Sequence, residues 1–189
     1  MMSNDTNYWK SFYNKKQLEL IPSDFCLYIM DYFKSNTKMK ILDAGCGNGR
    51  DSYHLALNHE VTGIDISYMP EHKENCVFEI NDFTICDKSN YDMIYSRFTF
   101  HSITNEQHEI FIKSIKKGTM LCIETRSNKG KDSTRYYGDD HYRNFTDMEY
   151  LKGLLTDNEF DILYMEENEN FAKYMNENPI CIRVICKKM

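Results

Sequence analysis

The sequence predicts an α/β fold, in which helices cover both faces of a doubly wound, mostly parallel sheet. Short apolar runs of strand length alternate with amphipathic helical stretches from residue 39 onward. A glycine-rich turn follows the first run, at the point where sheets of this kind bind their ligands. The 189 residues suffice for one domain with its own hydrophobic core.

The N-terminal region, residues 1–35, is predicted to be a helical lid. Phe25 and Ile29 share helical spacing behind a polar start at Ser23, which predicts a helix within residues 22–34. Four aromatic residues stand upstream of it: Tyr8, Trp9, Phe12 and Tyr13. They are expected either to close over a bound ligand or to fill the core beneath the first helix.

The strands and helices of the sheet follow in regular order. Seven runs are strand candidates: residues 39–42, 60–64, 76–80, 91–95, 120–124, 160–165 and 180–186. Helices are predicted at residues 50–58 and 105–116, and a third from a cap at Thr146 to about Asn158. The last strand is expected to run antiparallel to its neighbour.

The alternation is shortened around the third strand. Ten residues separate Asp65 from Cys76, and Pro70 interrupts them, so little more than one helical turn fits there. The stretch of residues 81–90 after this strand is similarly short. We therefore expect short or missing helices on both sides of strand three.

Charge and composition exclude several classes of function. The net charge is -6 and the basic residues form no dense block, which disfavours a nucleic-acid substrate. No apolar run has the length of a membrane span, and the polar N-terminus lacks the core of a signal peptide. The seven cysteines form no C-x-x-C pair and favour a reducing compartment. These features predict a soluble, cytoplasmic protein.

The whole chain, residues 1–189, is predicted to be a single domain. Residues 39–125 form its ligand-binding core, residues 126–145 a loop that shapes a substrate pocket, and residues 146–189 the last helix and two strands. The loop is rich in Gly, Asp, Tyr and Arg and has the length of a functional loop.

The turn after the first strand has a specific pattern. The strand stops at Asp43 and passes through Gly45, Gly47 and Gly49 into a helix. Glycines allow a tight turn and a close approach of the backbone to a ligand, and a helix N-terminus presents free N–H groups. The even glycine spacing differs from the G-x-G-x-x-G of dinucleotide-binding proteins, which argues against a nicotinamide enzyme.

The segment Ile41–Asp51 resembles the first motif of class I S-adenosylmethionine-dependent methyltransferases. Residues 63–67 and 81–83 support the resemblance, because they follow in the expected order at the ends of strands two and three. It covers residues 39–125 and implies the seven-stranded sheet of that class, with S-adenosylmethionine as cofactor. The alternative is an ordinary strand-to-helix turn with a solvated acid at the end of strand two.

The resemblance assigns roles to several residues. Asp43 would organise the loop and face the cofactor ammonium, and Asp65 would bind the ribose hydroxyls. Asp82 would receive the adenine amino group beside a wall formed by Phe83, unless Asp82 only stabilises a turn. The other residues expected to line the cofactor are Gly45, Cys46, Gly47, Gly49, Ile66, Ser96 and Trp9.

Two histidines are candidates for a general base. His101 lies in the loop after strand four, where class I enzymes acting on small molecules often carry a histidine near the methyl group, and the usual pKa of histidine is near working pH. The alternative for His101 is a structural role beside the next helix. His141, in the substrate loop, is the second candidate.

Three arginines follow strands four and five and are expected to bind one anionic group of the substrate. They are Arg97, Arg126 and Arg143, with Tyr142 as a further substrate contact. A guanidinium matches phosphate or carboxylate with two parallel hydrogen bonds. Taken singly, each arginine is better explained as a solvated surface residue, and only the set of three favours an anion site. Glu124, at the end of strand five, is expected either to orient an arginine or histidine or to be an ordinary strand-end charge.

The methyl acceptor is expected to be a small molecule. The loop after strand four lacks the motifs of adenine and cytosine methylation and the carboxylates of magnesium-dependent enzymes, so no metal is expected. A sugar or nucleotide-sugar is the preferred acceptor. Residues 49–52 also resemble the tellurite-resistance and thiopurine methyltransferase branch, so a chalcogen or thiol acceptor is the alternative. A non-catalytic protein that binds S-adenosylmethionine is the alternative of another class.

Overall fold

A computed structural model describes residues 6–11, 20–34, 37–129, 136–137, 141–173 and 178–189. A seven-stranded sheet crosses this part of the molecule in the order β3-β2-β1-β4-β5-β9-β8. Its strands are β1 (Lys40–Ala44), β2 (Glu60–Asp65), β3 (Cys76–Ile80), β4 (Met93–Arg97), β5 (Met120–Arg126), β8 (Phe160–Asn168) and β9 (Cys181–Lys188). A two-stranded ribbon of β6 (Tyr136–Tyr137) and β7 (His141–Tyr142) stands apart from it.

The directions of the strands agree with the predicted fold class. Strands β3, β2, β1, β4 and β5 pair in parallel, and β9 runs antiparallel to both of its neighbours, β5 and β8. The prediction of a mostly parallel sheet with an antiparallel last strand is therefore confirmed. Because parallel neighbours need crossovers, the carboxyl ends of β1 to β5 share one edge of the sheet.

Four of the helices in the described part of the chain pack against the sheet. They are α1 (Asp24–Tyr32), α2 (Arg50–Leu55), α3 (Asn105–Lys113) and α4 (Met148–Asp157), and a short 3-10 turn covers Phe100–Ser102. Helix α1 begins behind the polar start that predicted it, where Ser23 is the cap, and Thr104 caps α3 in a reciprocal capping box with Gln107.

The cap predicted at Thr146 was wrong. The side chain of Asp147 accepts the N–H of Tyr150 and caps α4 instead. Thr146 is buried and pairs with Ser127 in an isolated bridge, where its N–H donates to the carbonyl of Arg126. Thr and Asp both cap helices well. Because Thr146 is held by its bridge to Ser127, the adjacent Asp147 caps the helix.

Each face of the sheet carries a hydrophobic cluster. One cluster packs α3 and α4 against residues such as Leu42, Ile94 and Ile123. The other packs α1 and α2 against Ile41, Tyr95 and neighbours on the opposite face. Side chains alternate between the two clusters along β1 and β4, as expected for strands buried on both faces.

The sheet lacks helices next to β3. Residues 66–75 and 81–92 contain turns and bends but no helix. Val77 and Ile80 of β3 are consequently about half exposed. The expected shortening around strand three is confirmed.

The fold brings the loops that follow β1, β2, β3, β4 and β5 to one edge. Residues 45–49 follow β1, and Asp65 ends β2. The substrate loop predicted at residues 126–145 leaves β5 at this edge and contains the ribbon of β6 and β7. Among the described residues, no helix is both long and apolar enough to span a membrane.

Candidate active site

The glycine loop is held tightly against the loop after β4. Gly45 has φ +81° and Gly49 has φ +76°, a backbone region that side chains disfavour. A Cβ atom on Gly45 would lie 2.0 Å from Cγ2 of Thr99, and one on Gly49 would lie 2.7 Å from Cζ of Phe78. Both positions therefore require glycine for conformation and for space.

Most N–H groups of this loop donate within the protein. The amides of Gly45 and Cys46 donate to the carbonyl of Ile64, at 2.7 and 3.0 Å, and that of Gly47 donates to Oδ2 of Asp65 at 3.1 Å. These bonds fix β1 to β2 at the edge of the sheet, so the three amides do not face a ligand carboxylate. Within the described residues, the buried Nδ2 of Asn48 has no hydrogen-bond partner.

Buried carboxylates lie behind the loop. Asp43 is 3% exposed and accepts a 2.5 Å hydrogen bond from Ser52 Oγ. Burial raises the pKa of Asp43 to about 7, the Ser52 bond opposes this rise, and the charges of Asp51 and Asp65 add to it. Three carboxyl groups, those of Asp43, Asp51 and Asp65, thus lie near the carboxyl end of β1.

Asp51 has a structural role. Its carboxylate accepts hydrogen bonds from the N–H and Oγ of Ser23, both at 2.7 Å, and from the hydroxyl of Tyr95 at 2.8 Å. This network joins the N-terminus of α1, the first turn of α2 and β4. Asp51 thus places a negative charge at the N-terminus of α1.

Asp65 stands at the end of β2, beside the glycine loop. Its Oδ1 accepts from the N–H and Oγ of Ser67, at 2.8 and 2.6 Å, and from the N–H of Tyr68 at 3.3 Å. Its Oδ2 accepts only from Gly47 among the described residues, so the second lone pair of Oδ2 is left for a further donor. Ile66 follows it and is half-buried.

Asp82 and Phe83 follow β3. Oδ1 of Asp82 accepts from the N–H and Oγ1 of Thr84, at 2.9 and 2.7 Å. Phe83 is 3% exposed and belongs to the hydrophobic cluster beneath the loop. The buried Lys88 stabilises this turn by donating to the carbonyls of Thr84 and Cys86.

The loop after β4 is unusual in its backbone. Phe98 has φ +59°, which is rare for a bulky residue. Its N–H donates to the carbonyl of Glu124, and the buried Ser96 hydrogen-bonds to the hydroxyl of Thr99. This conformation directs the loop over Gly45 and presents the ring of Phe98 to two arginines.

His101 is 2% exposed and supports the loop after β5. Its Nδ1 accepts the backbone N–H of Arg126 at 3.3 Å, and its carbonyl accepts from Asn144. Because a backbone N–H can only donate, Nδ1 is unprotonated and the proton of the neutral ring lies on Nε2. In this tautomer the basic nitrogen of His101 faces the backbone N–H of Arg126.

The candidate substrate residues gather at the same edge. The guanidinium of Arg97 lies 4.2 Å from the centre of the Phe98 ring, and that of Arg126 lies 5.6 Å from it. Arg143 donates to the hydroxyl of Ser102. The guanidinium of Arg143 also lies 5.3 Å from the ring of Trp9, which belongs to a helical segment at residues 6–11.

Some of the predicted residues lie outside the described part of the chain or have no described side chain. Phe12 and Tyr13 lie outside the described residues, and His141 is described only as a backbone that pairs with Tyr137. Tyr142 is half-buried beside Arg143. Within the described residues, no three His, Cys, Asp or Glu side chains are close enough to share a metal ion.

Glu124 is completely buried and pairs with two arginines. Its Oε1 accepts Nε of Arg97 at 2.8 Å, and its Oε2 accepts Nε of Arg183 at 2.7 Å. The pairing of Arg97 was one of the two expectations for Glu124. Arg183 was not among the residues predicted from the sequence, although a lone charge inside an apolar strand such as β9 is the pattern of a buried ion pair.

A model of the family described as methyltransferase domain matches residues 15–164 of the chain. The chain belongs to this methyltransferase family. The probable S-adenosyl-L-methionine-dependent methyltransferase TehB of Haemophilus influenzae is 33% identical over 104 residues, which cover 48% of this chain and 36% of TehB. The uncharacterized methyltransferase C750.03c of Schizosaccharomyces pombe is 34% identical over 87 residues, covering 40% and 60%. The matches thus span 36 to 60% of these curated relatives.

Solved structures share the fold of this methyltransferase. An S-adenosylmethionine-dependent methyltransferase of Methanosarcina mazei has a TM-score of 0.69 at 20% identity, over 85% of this chain and 97% of the other. A 1,6-didemethyltoxoflavin N1-methyltransferase of Burkholderia thailandensis, solved with S-adenosylhomocysteine, has a TM-score of 0.68 at 17% identity, over 87% and 76%. The seven-stranded order is that of class I methyltransferases, as the sequence resemblance implied.

The residues at the sheet edge fit S-adenosylmethionine, the cofactor of this class. The cofactor has a cationic sulfonium, an ammonium and a carboxylate. The acidic region formed by Asp43 and Asp65 complements the cationic groups, and Nδ2 of Asn48 is a buried donor whose partner such a ligand would supply.

Proposed function

We propose that this methyltransferase transfers a methyl group from S-adenosylmethionine to a soft chalcogen atom, such as a thiolate or tellurite, of a small anionic acceptor. The observation that carries the proposal is the hydrogen bond from the Arg126 amide to Nδ1 of His101. The basic nitrogen of His101, the first candidate for a general base, is thereby engaged by the backbone. An acceptor that attacks through its own lone pair needs no base.

The donor side of the site supports methyl transfer. When bound, S-adenosylmethionine supplies an electrophilic methyl group on its sulfonium. Asp43 and Asp65 would hold its cationic end and its ribose, and Asp82 would receive the adenine amino group. The turn of Asp82 is braced by the buried amine of Lys88. These residues would align the methyl group, and alignment is the main requirement of this displacement.

The acceptor side favours an anion. Arg97 and Arg126 both lie near the ring of Phe98, and Arg143 lies near the ring of Trp9. Three guanidinium groups at one edge would attract and orient a negatively charged acceptor. Residues 49–52 resemble the tellurite-resistance and thiopurine branch, which acts on such acceptors.

A sugar phosphate or nucleotide-sugar is the second candidate acceptor. The same three arginines would bind its phosphate, which favours this class as well. Methylation of a sugar hydroxyl requires removal of a proton, and His141 is then the remaining histidine candidate. In either case the free cysteines of the described chain fit the reducing cytoplasm.

The proposal is tested by following S-adenosylhomocysteine formation with a panel of acceptors. Potassium tellurite, 2-mercaptobenzoate, thiopurines, glucose 6-phosphate and UDP-glucose are compared at saturating S-adenosylmethionine. We expect turnover with at least one chalcogen acceptor, and a rate with thiols that follows the pKa of the thiol itself. Turnover with the sugars alone would reject the chalcogen proposal. Cofactor binding without turnover of any acceptor would support the non-catalytic alternative.

A further inference from the structure

A row of alternating charges crosses the sheet at the acceptor edge. Arg97 of β4 pairs in register with Glu124 of β5, and Glu124 pairs with Arg183 of β9. Arg183 in turn lies opposite Glu166 of β8. Glu124 and Arg183 are buried, with side chains 0% and 7% exposed, whereas the side chain of Arg97 keeps 17% of its surface exposed.

Each of the two arginines hydrogen-bonds to a different oxygen of Glu124. Nε of Arg97 donates to Oε1, and Nε of Arg183 donates to Oε2. Within the described part of the chain, the Nη atoms of Arg97 donate to no acceptor, while its guanidinium lies over the ring of Phe98. The outer donors of Arg97 are therefore left for a ligand.

Contacts with three aromatic residues and a backbone carbonyl hold the guanidinium of Arg183 in place. Its Nη2 donates to the carbonyl of Phe171 at 2.9 Å, and its guanidinium lies 4.3 Å from the ring of Phe171. The rings of Phe25 and Tyr28 on α1 lie 5.3 and 5.5 Å away. Such a site suits a guanidinium, which is planar and more weakly hydrated than an ammonium.

We propose that Arg183 is a positioning and specificity residue: by occupying Oε2 of Glu124, it keeps Arg97 from forming a two-bond pair with Glu124 and reserves the outer Arg97 donors for an acceptor anion. Without Arg183, Glu124 turns both oxygens toward Arg97 in the bidentate geometry that arginine and carboxylate prefer. The edge also loses one positive charge. The inference rests on the proposed anionic acceptor.

The test is the binding of selenate to protein saturated with S-adenosylhomocysteine, measured by calorimetry at constant ionic strength. Selenate is a dianion without a lone pair on selenium, so it reports anion binding apart from methyl transfer. We expect Arg183→Met to weaken selenate binding about tenfold and to leave S-adenosylhomocysteine affinity unchanged. Lys113→Met, which removes an exposed charge on α3, is the control and should change selenate affinity less than about twofold.

Further variants separate positioning from folding. Arg183→Lys keeps the charge and should retain selenate affinity within about threefold. If Arg183→Met does not fold, Arg183→Leu replaces it with the same expectation, because neither side chain can donate to Glu124. Wild-type affinity in the neutral variant, or a parallel loss of S-adenosylhomocysteine binding, would overturn the proposal. Absence of selenate binding to the wild type would overturn it too. Turnover in the acceptor panel tests the proposed function independently of selenate binding.

Discussion

At the scale of single residues, burial changes the chemistry of two side chains that the sequence marks as functional. The pKa of Asp43 rises to about 7, because the carboxyl group is buried and lies beside other carboxylates. Nδ1 of His101 accepts a hydrogen bond from the backbone N–H of Arg126, at the end of β5. Both effects depend on neighbours that are distant in sequence.

Asp43→Asn should alter the dependence of stability on pH. The pKa of Asp43 is about 7 in the folded protein against an ordinary value of 3.8, so the unfolded chain releases this proton first as pH rises. Wild-type stability therefore falls between pH 4 and 7 relative to the variant, by at most about 4 kcal/mol. Urea unfolding at several pH values measures this difference. Asp31→Asn, at an exposed site, is the control of equal charge, and parallel curves for Asp43→Asn and wild type would contradict the prediction.

His101→Asn should preserve activity toward a chalcogen acceptor. The Asn oxygen replaces Nδ1 as the acceptor for the Arg126 amide, so kcat should remain within about threefold of wild type. His101→Ala leaves that buried amide without its acceptor and should cost about 1 to 3 kcal/mol of stability. Steady-state kinetics and urea unfolding measure the two effects. A loss of tenfold or more in kcat for His101→Asn, together with a lost pH limb near neutrality, would restore His101 as a base.

At the scale of elements, the site depends on the turns that leave the strands. The loop after β1 passes through three glycines of positive φ, and the loop after β4 places Phe98 in the same region of backbone space. These two turns contact each other at Gly45 and Thr99. The geometry of the site is therefore set by two strand ends together.

Gly45→Ala should separate conformational strain from steric contact. Gly118 also has positive φ, at +92°, but a Cβ there would meet no atom within 4 Å, so Gly118→Ala measures strain alone, about 1 to 2 kcal/mol. Gly45→Ala adds the clash with Cγ2 of Thr99 and should cost about 1 to 3 kcal/mol more. Denaturant unfolding gives both values, and calorimetry should show weaker S-adenosylhomocysteine binding for Gly45→Ala only.

A double variant checks the cause. Thr99→Ser removes the clashing methyl group and keeps the hydroxyl that bonds Ser96. In the Gly45→Ala background it should recover about half of the extra cost, an interaction energy of about 0.5 to 1.5 kcal/mol. Equal costs for Gly45→Ala and Gly118→Ala, with no recovery, would show that the contact between the two loops is unimportant.

At the scale of the whole molecule, the sheet is covered unevenly. Strands β1, β4 and β5 lie in the middle of the sheet between two hydrophobic clusters. Strand β3 lies at the edge, without a helix on either side of it in sequence, and two of its apolar side chains are about half exposed. Stability should therefore fall from the centre of the sheet toward β3.

Hydrogen exchange should reveal this gradient. Amides of β4 and β5 are expected to exchange only through global unfolding, and those of β3 through local opening at lower free energy, by at least about 2 kcal/mol. S-adenosylhomocysteine should slow exchange in β2 and β3 because Asp65 and Asp82 would contact it. Native-state exchange with mass spectrometry measures both. Uniform protection across the sheet would contradict the gradient.

Much of the fold follows from local patterns. The positions of all seven strands, the shortening around β3 and the cap at Ser23 could be predicted, because side-chain periodicity and turn residues act over a few positions. The alignment of Asp43, Gly45 and Asp65 along one edge followed as well, since parallel strands bring their carboxyl ends together. The predicted strand ends and the predicted cap at Thr146 were less accurate, because tertiary contacts decide the last residues of an element.

The partners of buried charges required the tertiary structure. Glu124 and Arg183 are 59 positions apart in the chain and meet only because β5 and β9 pair in one register. The tautomer of His101 likewise depends on an amide 25 positions away. Local sequence specifies elements and the ligand-binding edge, whereas register between distant strands decides which charged and polar groups face each other there, and with them the chemistry available to the acceptor.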